Sequence, residues 1–122
     1  MGQDARLPTV LVVDDDASLR LLCRVNLELD GYRVLEAREV AEAEELLVSE
    51  LVDLVLLDVH VGPESGIDLM RSVRERGSAP PIVLVTGSAR LDAETQAEAD
   101  GVVAKPFRLE ELLGVVRRLV SR

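Results

Sequence analysis

The chain has 122 residues, 48% hydrophobic and 30% charged, the balance of one compact globular domain with room for a single core. Fourteen Lys and Arg against 23 Asp and Glu leave a formal charge of −9, which repels phosphate backbones and anionic headgroups and so excludes general nucleic-acid or membrane-surface binding. The lone cysteine, Cys23, cannot close an internal disulfide, and the two aromatics, Tyr32 and Phe107, cannot build a base-stacking platform.

Residues 1–8 read as a loose leader without the apolar stretch of a signal peptide. No apolar run approaches the ~20 residues that span a bilayer, and the expected compartment is the cytoplasm. The first apolar run, 10–13, is followed by Asp14, Asp15 and Asp16. Asp16 suits the N-cap of a helix over 17–29, and Gly31 suits its stop. A weaker strand is expected at 33–36, and then Val40, Ala43, Leu47 and Leu51 recur at helical spacing. The run 53–57 ends at Asp58, and Ile67, Met70 and Val73 mark the next helix. The run 82–85 ends at Thr86. In 89–98 only Leu91 is large and apolar, so the fourth helix is expected to be short or irregular. A weak strand at 102–104 leads into Lys105 and Pro106. Last comes the clearest amphipathic stripe, Leu109, Leu112, Leu113, Val116 and Val120, with Glu110, Glu111, Arg117 and Arg118 outside it.

Strand and helix thus alternate five times. Runs that are apolar on both faces belong inside a parallel sheet, so the pattern predicts an open, doubly wound α/β fold. In such sheets ligands bind beyond the carboxyl ends of the strands. The residues that end the runs are then the candidate site: Asp14, Asp15, Asp58, Thr86 and Lys105. Clustered carboxylates raise one another's pKa unless a cation sits among them, and hard oxygen ligands with open positions suit Mg²⁺. Lys105 is a mobile positive charge, and Thr86 offers a hydroxyl to an incoming anion. A dinucleotide-binding fold does not fit, because the first strand leads into acids and not into a glycine-rich phosphate loop.

Four segments, VLVVDDDASLR at 10–20, DLVLLDVHVGPESGIDLM at 53–70, PPIVLVTGSA at 80–89 and ADGVVAKPF at 99–107, resemble the receiver domain of bacterial two-component response regulators. The resemblance implies a receiver unit over 9–122, a three-layer α/β/α fold of flavodoxin-like type with five parallel strands in the order 2-1-3-4-5. It implies that Asp58 is the phosphoacceptor and that Asp15 binds Mg²⁺ directly, with Asp14 acting through water and His60 offering its backbone carbonyl. Thr86 matches the switch hydroxyl, Lys105 the lysine that pairs with the phosphoryl group, Pro106 the proline often preceded by a cis bond, and Gly66 the glycine before the third helix. His60 and Ser88 match the positions that flank the hydrolytic water and set acyl-phosphate lifetime. The implied partners are a sensor histidine kinase or histidine phosphotransfer protein and a downstream protein target, and the sequence leaves open whether the chain forms a homodimer. No enzymatic turnover beyond slow self-dephosphorylation is implied.

Three features depart from the family pattern. Val102 stands at the usual switch-aromatic position, the stretch from Thr86 to Lys105 is a few residues short, and Gly62-Pro63 replaces the frequent Met-Pro. Beside the phosphoacceptor reading stand two others. One is a receiver-like interaction module that works without phosphorylation. The other is a haloacid-dehalogenase-type phosphatase with its nucleophile at Asp14 or Asp16, which needs a further acidic pair where the chain has only Glu110 and Glu111. Cys23 reads as core packing, and the His60 side chain reads as an ordinary loop histidine.

Overall fold

The computed structural model describes residues 6–87 and 91–120. In chain order the elements are β1 (Thr9–Val13), α1 (Ala17–Leu29), β2 (Arg33–Ala37), α2 (Val40–Ser49), β3 (Leu54–Asp58), β4 (His60–Val61), β5 (Glu64–Ser65), α3 (Gly66–Glu75), β6 (Ile82–Thr86), α4 (Ala93–Glu98), β7 (Gly101–Ala104) and α5 (Leu109–Leu119). Five strands form one parallel sheet in the order β2-β1-β3-β6-β7, which is 2-1-3-4-5 when the sheet strands alone are counted. β4 and β5 form a separate antiparallel hairpin just after β3.

The three central strands are buried at every position, which is why they read as unbroken Val and Leu runs. The period of two along each strand sorts these side chains to opposite faces. Val10, Val12, Leu56 and Val85 pack with Leu27 of α1 and Leu112 of α5. Leu11, Val13, Leu57 and Leu84 pack with Ala43 of α2 and Met70 of α3. Each such buried Val or Leu contributes about 1.5–3 kcal/mol, so the two half-cores hold the strand ends in place against the repulsion of the acids they carry.

The structure shifts several boundaries by one residue. β1 gains Thr9, and β2, β3 and β6 run on through Ala37, Asp58 and Thr86, because the ladder pairs Val13 with Ala37, Asp58 with Val85 and Thr86 with Ala104. Asp53 lies outside β3, where its carboxylate accepts the Thr9 amide at 2.7 Å and pairs with Arg6. Of the expected leader, residues 1–5 lie outside the described residues. Pro8 is tied to the sheet edge by the Arg33 amide. α1 begins where expected, with the Asp16 carboxylate capping the amides of Ser18 and Leu19. α4 is indeed short, at six residues. Lacking an apolar stripe, it is held by the Asp92 cap on Thr95 and by a bidentate pair from Arg71 of α3 to Glu98.

Candidate functional site

Asp14 follows β1, and its amide closes the ladder on the Ala37 carbonyl at 3.0 Å. Its carboxylate is buried. Oδ1 accepts the Asp16 amide at 2.9 Å, and Oδ2 accepts Lys105 Nζ at 3.1 Å. Asp58 ends β3 one strand away, also buried, with Oδ1 taking the His60 amide at 3.2 Å and Oδ2 taking Lys105 Nζ at 3.2 Å. Asp15 is exposed on the loop between β1 and α1, and one carboxylate oxygen from each of Asp14, Asp15 and Asp58 lies within 4.8 Å of the others. Thr86 ends β6, buried, and its carbonyl receives the Lys105 amide at 2.7 Å. The sheet order thus brings all five strand-end residues to one edge, as the alternating pattern predicts.

When all are ionised, the three carboxylates outweigh the one ammonium by two negative charges. Burial raises the Asp14 carboxyl above its ordinary pKa, and the Asp58 charge adds to this, while the Asp16 amide and Lys105 pull the other way. For Lys105 burial acts to lower the pKa. Its hydrogen bonds and charge pairing with Asp14 and Asp58 outweigh that and hold it above the ordinary lysine value. A cluster of hard oxygens with an excess charge of two and one exposed member fits a Mg²⁺-sized divalent cation.

The loop after Asp58 is shaped by two glycines. Gly62 sits at φ +60° in the hairpin turn, a left-handed conformation that side chains disfavour. Gly66, the first residue of α3, lies so close to the Asp58 carbonyl that a Cβ would collide with it, and its amide donates to Val59 at 2.8 Å. The His60 side chain is exposed, and its amide faces Asp58. The Lys105–Pro106 bond is cis. Val102 is 39% exposed on edge strand β7, pairing with Leu84, while Val103 beside it turns into the opposite half-core. Ser88 lies outside the described residues. Cys23 lines a cavity of about 10 Å³ beneath the site with Asp14, Asp58 and Phe107, and burial pushes its thiol up to about 11, so it stays protonated.

The sequence pattern did not mark Arg20. Its Nη1 donates to the Asp14 carbonyl at 2.7 Å and its Nε to Glu36 at 3.1 Å, and Arg24 holds the other Glu36 oxygen at 2.8 Å. The signal was two arginines one helical turn apart, but their partner stands on another element, and only the packing of α1 on β2 brings it near. Glu110 and Glu111 sit in the first turn of α5, on a helix and not at the end of a strand, where a phosphatase of the dehalogenase type would need them.

A doubly wound five-stranded sheet of this order, with three acids, a threonine and a lysine gathered at its carboxyl edge, defines a receiver-type signalling domain. The sequence profile of the response regulator receiver domain matches residues 10–117, and the chain belongs to that family. Among curated relatives, the response regulator MprA of Mycolicibacterium vanbaalenii is 38% identical over 116 residues, which are 93% of this chain and 50% of the relative. The chain therefore spans about half the length of the curated relatives it matches. The response regulator TrrA of Thermotoga maritima, solved in complex with Mg²⁺-BeF, is similar at 31% identity and a TM-score of 0.85, over 93% of this chain and all of that one. A Burkholderia pseudomallei regulator solved with a phosphorylated aspartic acid, calcium ion and citrate is similar at 28% identity and 0.79, over 90% of this chain and 66% of that one. Among the described residues no helix is long and apolar enough to cross a membrane.

Proposed function

We propose that Asp58 is the phosphoacceptor of this receiver, taking a phosphoryl group from a phosphohistidine on a sensor histidine kinase or a histidine phosphotransfer protein in the cytoplasm. The observation that carries this is the Lys105 ammonium shared between Asp14 and Asp58 at 3.1 and 3.2 Å, inside a cluster of three carboxylates. An Asp58 oxygen forms the new P–O bond as the P–N bond breaks, and the departing imidazole nitrogen keeps the electron pair. Mg²⁺ held by Asp14, Asp15, Asp58 and the His60 carbonyl would neutralise the phosphoryl oxygens as charge shifts among them. Lys105 exchanges the Asp58 oxygen for a phosphoryl oxygen, and the Thr86 hydroxyl at the same edge donates to another.

Movement at Thr86 and Lys105 reshapes the face formed by α4, β7 and α5, which a downstream protein or a second copy reads. With Val102 in place of an aromatic ring, that change passes through the backbone link from Lys105 to Thr86. His60 and Ser88 set how fast water removes the phosphoryl group, which is the only turnover proposed. TrrA with Mg²⁺-BeF and the phosphorylated Burkholderia regulator support the reading by similarity. The test is intact-protein mass after incubation with Mg²⁺ and acetyl phosphate. One added phosphoryl group that requires Mg²⁺ and is absent from Asp58→Asn supports it. No addition, with a histidine phosphodonor as well, favours an interaction module that works without phosphorylation.

A further inference from the structure

The loop that carries Asp15 is held from a distance. Arg20 lies in the first turn of α1 with only 15% of its side chain exposed, and its guanidinium faces two ways. Nη1 donates to the main-chain carbonyl of Asp14 at 2.7 Å, and Nε donates to Glu36 on β2 at 3.1 Å. Glu36 pairs in register with Val12, two residues before Asp14, and is braced on its far side by Arg24 at 2.8 Å. A planar guanidinium can serve a carbonyl and a carboxylate at once from a fixed fork, which an ammonium cannot.

The Asp14 carbonyl belongs to the same rigid peptide plane as the Asp15 nitrogen, so its direction sets the path of the chain into Asp15. On the other side the Asp16 amide is bonded to Asp14 Oδ1, and the Asp16 carboxylate caps α1. Asp15 is thus an exposed residue between two anchored peptide units, with its carboxylate within 4.8 Å of those of Asp14 and Asp58. We infer that Arg20, braced by Glu36, is a positioning residue of the cation site, which by anchoring the Asp14 carbonyl aims the Asp15 carboxylate at the other two acids. This rests on the reading that the three acids bind Mg²⁺.

Charge and position predict opposite signs. Arg20 is a cation beside a cation site, so by charge alone its removal strengthens Mg²⁺ binding. If Arg20 aims Asp15, its removal weakens binding, and loss of such outer partners typically costs about tenfold or more in metal affinity. The experiment is a Mg²⁺ titration of the intact chain by calorimetry and backbone amide shifts, on wild type, Arg20→Met, Arg20→Lys and Glu36→Gln, with thermal unfolding of each. The expected result is about tenfold weaker binding in Arg20→Met, a partial recovery in Arg20→Lys, and a smaller loss in Glu36→Gln, which keeps the guanidinium but weakens its brace. In an Asp15→Asn background the Arg20→Met effect should vanish, as for two residues that act as one. Unchanged or tighter binding in a folded Arg20→Met overturns the inference, as does an undiminished effect in the Asp15→Asn background. Should Arg20→Met not fold, wild-type affinity in Glu36→Gln overturns it instead. If wild type itself binds no Mg²⁺, the metal reading fails first and the inference with it.

Discussion

Gly66 stands directly against the carbonyl of Asp58, with no space between them for a side chain. The third helix therefore begins on top of the residue assigned as phosphoacceptor, and the Gly66 amide clips the next carbonyl, that of Val59. On helix propensity alone Gly66→Ala gains about 0.5–1 kcal/mol. The collision with backbone costs about 1–3 kcal/mol, because neither partner is a flexible side-chain tip, and so it prevails. The expected outcome is a net loss of stability in urea unfolding with amide shifts centred on 58–60. A more stable Gly66→Ala would show that the loop yields freely.

Asp14 tests the electrostatics of the edge. Its folded pKa lies above the ordinary value, first through burial and then through Asp58. The folded state therefore binds a proton more tightly than the unfolded chain, and stability falls as pH rises from the ordinary carboxylate range through the raised folded value. Asp14→Asn removes that loss while keeping an acceptor for the Asp16 amide. It should raise metal-free stability at pH 7 by about 1 kcal/mol, a few degrees in melting temperature, and flatten the acid side of the pH–stability curve. Equal melting curves for the two proteins across pH 4–8 would contradict this.

Lys105→Ala separates metal binding from switching. Removing an ammonium that shares its proton donors between Asp14 and Asp58 takes a competing cation out of the cluster. Mg²⁺ should bind at least as tightly as to wild type. The amide shifts that beryllofluoride induces along β7 should be lost, since without the ammonium the occupied site no longer pulls on residue 105, whose amide is bonded to the Thr86 carbonyl. A wild-type shift pattern on activation would remove Lys105 from the switching route.

The short fourth helix should loosen first in acid. The Thr95 amide holds the Asp92 carboxyl below its ordinary 3.8, and Arg71 holds Glu98 below its ordinary 4.5. Groups with depressed folded values contribute fully above the unfolded values and lose that contribution as pH falls through the folded ones. Amide protection over 93–98 should therefore decay on acidification below about pH 4 while β6 stays protected, and Arg71→Ala should bring the decay to higher pH. Simultaneous loss of protection in both segments would mean that α4 is held by something other than these two carboxylates.

Much of this protein is legible in local pattern. Runs such as Val10–Leu11–Val12–Val13 could only be strands buried on both faces, and Asp16 is suited to capping the helix directly after it, because both signals depend on neighbours within a few residues. The weak helix signal at 89–98 likewise forecast the six-residue α4. The convergence of Asp14, Asp58, Thr86 and Lys105 was legible because every parallel strand in such a sheet presents its end at the same edge. Other features need parts of the chain that meet only in space. The His60–Ser65 hairpin is too short to show a period, and its pairing depends on how α3 is seated on the Asp58 carbonyl. The Arg20–Glu36–Arg24 brace joins a helix to a strand that lies 12 to 16 positions further on. The one-residue shift of Asp53 and Asp58 was settled by ladder register, since Asp53 finds the Thr9 amide outside the strand. By itself the sequence determined the strand runs buried on both faces, the Asp16 cap and the placing of charge, because these signals lie within a few neighbouring residues, whereas Leu51, read at helical spacing, falls past α2 and is exposed. Tertiary structure alone decided which groups share an ammonium or an arginine, because that depends on separations of a few ångströms between residues far apart in sequence.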